Sequence, residues 1–216
     1  MKRLVRILVA SSLLTAFAAV TAFAADPAPA PAPAATQPVA VKEAPDSLAL
    51  LEKAVAKDST KFDNLYKLGV MYLDRDRPAE AVRVLARANK VKAKNTKVLV
   101  NLGAAYDALG NADVAQENYR SALAVTPGDS VANCRLASSL YSQGKHAEAM
   151  DILRGTIVQK PNSYCAYFTL GVAFADAGIY RDAVRMWQKV ITLAPESPEA
   201  VSAKESIEVL EKFIGN

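Results

Sequence analysis

The residue types able to do chemistry are few in this chain. A single histidine, His146, stands beside Lys145 and Glu148. One imidazole cannot build a histidine-rich zinc site, and an exposed side chain in a turn is the simpler assignment. Gly144-Lys145 lacks the upstream glycine of a phosphate-binding loop, and neither a G-x-S-x-G elbow nor an H-E-x-x-H pair occurs. No C-x-x-C-H run is present, which excludes covalent haem attachment. These absences argue against an enzyme, so no catalytic residue, metal ligand or cofactor is assigned.

What remains is a scaffold to be read for the surfaces it presents. The 216 residues are 51% hydrophobic, with 26 Lys and Arg against 22 Asp and Glu. That length makes one domain with a core that needs no disulfide or metal staple. Abundant Ala and few aromatics suit packed helices better than a β-sandwich. Lys2, Arg3 and Arg6 precede a mostly apolar run from Ile7 to Ala25 that ends in Ala22-Phe23-Ala24. A charged start, an apolar middle and a small-residue site are the parts of a secretory signal over 1–24. A retained membrane anchor is the alternative, although its many Ala, Ser and Thr insert weakly. Without the three signal cations the balance falls to 23 against 22. The basic charge therefore argues for neither nucleic acid nor anionic lipid, and no stable membrane insertion is expected after cleavage. Six prolines at 27, 29, 31, 33, 38 and 45 make 25–45 a semi-stiff, disordered tether.

The rest of the chain repeats every 34 residues. Gly69, Gly103, Ala137 and Gly171 recur at that spacing. So do Leu68, Leu102, Leu136 and Leu170, and Tyr72, Tyr106, Leu140 and Phe174. Ala81, Ala115, Ala149 and Ala183 follow, then Leu85, Tyr119, Leu153 and Trp187, and the period closes on Ala93, Pro127, Pro161 and Pro195. The repeats run 62–95, 96–129, 130–163 and 164–197. Within each, the first apolar set falls on one helical face. Small residues mark a close crossing of two helices, and Gly110, Gly144 and Gly178 end the first helix. Ala93 in place of Pro predicts a longer second helix in the first repeat. Residues 46–61, with Leu51 and Ala54, predict an N-terminal half-repeat. Residues 198–216 predict a capping helix whose stripe includes Val201, Ile207, Leu210 and Phe213.

This pattern resembles the tetratricopeptide repeat family, with four matches in phase over 136 of 216 residues. The resemblance implies an all-α fold: a right-handed α-α superhelix of four repeats, closed by the half-repeat and the capping helix. It also implies that a protein or peptide binds in a concave groove lined by first helices. The implied groove positions are Tyr66, Val70 and Leu73; Lys97, Val100, Asn101, Ala104 and Asp107; Val131, Cys134, Arg135, Ser138 and Tyr141; and Phe168 and Val172. The family's clamp for acidic C-terminal tails needs Lys and Asn where Tyr66 and Val70 stand and Lys where Val131 stands. Only Asn101 and Arg135 match, so the groove reads as mixed apolar with aromatic anchors. Several of these side chains are also candidates for packing between adjacent helices.

Cys134 and Cys165 fall on the first helices of consecutive repeats, three positions apart in phase. Two separate buried thiols are the preferred reading; a disulfide between facing helices is the alternative. Lys90, Lys92, Lys94 and Lys97 gather at the junction of the first two repeats, where solvated cations complement a helix C-terminus. Contact with an anionic lipid or polymer is the functional alternative. The expected function is a non-enzymatic adaptor of the bacterial cell envelope, exported to the periplasm, that binds a protein or peptide partner. A self-assembling homo-oligomeric scaffold, or a membrane-tethered one if the signal is retained, is the alternative.

Overall fold

The computed structural model describes residues 47–214. The expected signal over 1–24 and linker over 25–45 lie outside the described residues.

Ten helices make up the described chain: α1 (Ser47–Lys57), α2 (Phe62–Asp74), α3 (Pro78–Val91), α4 (Thr96–Ala108), α5 (Ala112–Val125), α6 (Ser130–Ser142), α7 (His146–Gln159), α8 (Tyr164–Asp176), α9 (Tyr180–Leu193) and α10 (Pro198–Ile214). No strand occurs among the described residues. Each helix packs on its neighbours in sequence. The first helices α2, α4, α6, α8 and α10 also pack on one another, which the second helices do not do to a comparable extent. Closer spacing on one side curves the stack, so the first helices line the inner face.

Local sequence explains where the helices start and stop. Asn95 accepts a hydrogen bond from the Val98 N–H (3.1 Å), and Asp129 from that of Ala132 (2.8 Å). Both are N-caps satisfying amides that the first turn leaves open. The turns after the first helices need one left-handed residue, supplied by Gly110, Gly144 and Gly178 and, in the first repeat, by Asp76. Asp tolerates that conformation because its short side chain bonds locally. The second helix of the first repeat is no longer than the others, contrary to the expectation from Ala93. It ends at Val91 because Lys92 leaves helical geometry and Lys94 turns left-handed at φ 55°.

The core is one continuous series of interlocking clusters, with Tyr106 and Phe174 shared between successive ones. Leu48 and Val55 are the buried side chains of α1, while Leu51 and Ala54 are half-covered. On α10 the buried stripe is Ala200, Ala203, Ile207 and Leu210. Val201 and Phe213 are exposed rather than part of it. One residue of offset rotates a side chain about 100° around the axis, off the packed face.

Candidate functional site

The inner face is built by the first helices, and its residues divide by depth. Tyr66, Val70 and Leu73 on α2 are partly open, as are Asn101, Ala104 and Asp107 on α4. Lys97, Val131, Arg135 and Ser138 are exposed. Tyr141 on α6 and Phe168 and Val172 on α8 are half-buried. Val100 is only 8% exposed and belongs to the core between helices. Cys134 is likewise buried.

Polar bonds tie successive first helices together along this face. The Asn101 amide donates to the Tyr66 hydroxyl (3.2 Å) and to the Lys97 carbonyl (2.9 Å). The Tyr141 hydroxyl donates to Asp176 (3.0 Å). Tyr66 is therefore not a loose anchor: its ring also stacks parallel to Phe62, with centroids 6.2 Å apart. Such bracing lowers the ordering cost of presenting an aromatic to a ligand.

Cys134 and Cys165 form a disulfide, with Cα atoms 6.2 Å apart. This corrects the preference for two separate thiols. The second turn of α6 and the first turn of α8 face each other directly, bringing the Cα atoms inside the range that a disulfide spans.

Sequence reasoning missed a polar network behind the face of the second and third repeats. Asp107 accepts from the hydroxyls of Tyr119 (2.8 Å) and Ser139 (2.8 Å). Gln116 is 2% exposed and donates to Gln143 (2.9 Å), which in turn donates to Asp113 (3.1 Å). Burial, together with the carboxylate of Asp107, pushes the Tyr119 phenol well above its usual value. The signal was present in the repeat columns: Gln116 occupies a position held by Val82, Met150 and Val184 in the other repeats. A polar residue breaking an apolar column predicts a buried partner.

None of this assembles catalysis. His146 is the exposed first residue of α7, its ring 4.3 Å from that of Tyr141. Among the described residues no group of three His, Cys, Asp or Glu side chains could hold a metal ion. None of the described helices is long and apolar enough to cross a membrane.

Three sequence models of one family, the tetratricopeptide repeat, match residues 65–87, 100–164 and 166–197. The chain is a tetratricopeptide-repeat protein. Solved structures agree on the tetratricopeptide fold. A thermophilic repeat protein of Thermus thermophilus superposes with a TM-score of 0.65 at 17% identity, over 74% of this chain and 89% of that one. YrrB, whose crystal structure is that of a TPR protein with an unusual peptide-binding site, gives 0.51 at 24% identity over 74% and 82%. By sequence, the BBSome complex member BBS4 of Bos taurus is 24% identical over 162 residues, 75% of this chain. The chain spans 31% of the length of that relative. Tetratricopeptide repeats are protein-interaction modules, and nothing in the described residues indicates catalysis.

Proposed function

We propose that this chain is a non-enzymatic adaptor of the bacterial cell envelope that binds an extended or helical segment of a partner protein along its inner face. The observation that carries the reading is the pair of half-open, mainly apolar patches on braced first helices, Tyr66, Val70 and Leu73 on α2 and Phe168 and Val172 on α8, with the half-buried Tyr141 of α6 between them. Aromatic anchors on a rigid support are the usual sources of binding energy at such a surface. YrrB, of similar fold, is described as a TPR protein with an unusual peptide-binding site; for this chain, binding of a peptide segment on the inner face is proposed. A cleaved signal over 1–24 would deliver the protein to the periplasm, with 25–45 as its tether.

End-to-end association into a homo-oligomer is the second reading. Among the described residues the stack begins at α1, in the repeat phase of a second helix, and ends at α10, in that of a first. Their outer sides leave Leu50 and Val201 each 53% exposed.

Site-specific photocrosslinking in the native envelope tests both readings, with the probe at Tyr66, Ser138 or Phe168 and a control at Glu208. A discrete partner captured only from the inner positions is the expected result. Self-adducts alone would transfer the assignment to assembly, and equal capture from Glu208 would remove the inner face as the binding site.

A further inference from the structure

The second helices run in one direction, so their C-terminal ends and the loops that follow line one edge of the solenoid. That edge is chemically uneven. Near the N-terminal end it carries Lys57, Lys61, Arg87, Lys90, Lys92 and Lys94, all exposed. No salt bridge engages any of the six among the described residues; Arg87 donates to the Ser59 carbonyl, and Lys92 Nζ lies 5.4 Å from the centroid of the Phe62 ring. The nearby carboxylates are Asp58, which accepts from the Thr60 amide and hydroxyl, and Asp63. Residues 47–97 hold twelve Lys and Arg against six Asp and Glu, whereas 98–214 hold ten against thirteen. The near-neutral total thus hides a strong dipole.

The same edge shows aliphatic side chains where second helices end. Val91 is 47% exposed, Val125 38%, Leu193 39% and Val158 81%. We infer that this edge docks the protein peripherally on an anionic bilayer surface, with the lysines among the headgroups and the aliphatic side chains at the acyl boundary. Three features favour a bilayer over a nucleic acid or an acidic protein. The cations are mostly lysines, compact point charges on flexible stems, rather than the arginine forks that read phosphates in pairs. They lie along an open edge with no cleft to track a strand. Aliphatic side chains beside basic ones are the composition of interfacial membrane contacts. The site lies outside the inner face, so it leaves the first helices free for a partner protein.

Co-sedimentation of the full chain with vesicles tests this. Vesicles of phosphatidylcholine alone are compared with vesicles containing about one-third phosphatidylglycerol. The apolar run near the N-terminus sets the background on neutral vesicles, and variants are read as the added binding on anionic ones. Each edge lysine contributes roughly fivefold, so K90Q/K92Q/K94Q is expected to lose about a hundredfold of the added binding. The control K145Q/K204Q/K212Q, with the same change in net charge, is expected to stay within about threefold. V158S should weaken binding further, and raised salt should abolish the difference between vesicle types. Equal losses from the two triple variants would overturn the inference. So would equal binding to neutral and anionic vesicles. Capture of soluble polyglutamate or DNA without vesicle binding would reassign the edge to an acidic macromolecule.

Discussion

A Cβ atom on Gly103 would stand 2.7 Å from Cδ1 of the Tyr119 ring, well inside van der Waals contact. The glycine and the tyrosine are one packing unit, and the same offset pairs Gly69 with Leu85 and Gly171 with Trp187. The third repeat resolves the crossing differently, with Ala137 opposite a smaller Leu153. Gly103→Ala should therefore destabilise the protein by about 1–3 kcal/mol despite Ala's better helix propensity. Combining it with Tyr119→Leu, the third-repeat solution, should cost less than the sum of the single changes. Urea denaturation of the four proteins in that cycle measures the coupling.

The buried Tyr119 phenol makes the fold alkali-sensitive. Burial and Asp107 raise its folded pKa above the ordinary value of 10.0. The folded state then keeps a proton that the unfolded chain releases, so stability is unchanged below about pH 10 and falls by roughly 1.4 kcal/mol per unit as pH rises above it. Tyr119→Phe should lose about 1–2 kcal/mol at neutral pH, because one Asp107 oxygen is left without its donor. Its stability should decline less steeply than wild type above pH 10, as measured by chemical denaturation across that range.

The Cys134–Cys165 disulfide closes a loop of 31 residues in the unfolded chain. Loop-closure entropy for that length corresponds to about 3–4 kcal/mol in the chain-entropy treatment. Reduction, or the paired Cys134→Ser and Cys165→Ser change, should lower stability by about 2–4 kcal/mol. The denatured, unreduced protein should take up no alkylating reagent, which mass spectrometry reads directly.

Asn89 buries its side-chain oxygen without a hydrogen-bond partner. The equivalent positions in the later repeats are Leu123, Ile157 and Ile191. Asn89→Leu should stabilise the protein by about 1–2 kcal/mol, removing an unmet acceptor and adding apolar contact. Thermal unfolding compared with wild type checks it.

How much was legible in the sequence follows from which forces are local. A period of 34 with small residues at helix crossings and glycines at turns is written along the chain, because caps, turns and helical faces depend on neighbours a few residues away. The helical solenoid could be read from Gly69, Gly103 and Gly171 and their partners, and the first-helix face followed from the resemblance to the tetratricopeptide family. Depth on that face could not. Val100 and Tyr66 share one repeat column, yet Val100 is buried in the core it forms with the next repeat and Tyr66 stays partly open, a difference that arises only between repeats.

The same reason separates what the sequence alone determined from what the tertiary structure decided. Spacing determined the number of repeats, the helix order and the absence of a catalytic motif. The end of α3 at Val91 despite Ala93, the joining of Cys134 to Cys165 and the Asp107–Tyr119–Ser139 network were decided by the stacked helices. So was the gathering of Lys57, Lys61 and Lys90 on one edge, since residues about thirty apart become neighbours only once the solenoid closes its pitch. Spacing along the chain encodes periodicity, whereas distances between repeats depend on packing that no single repeat specifies.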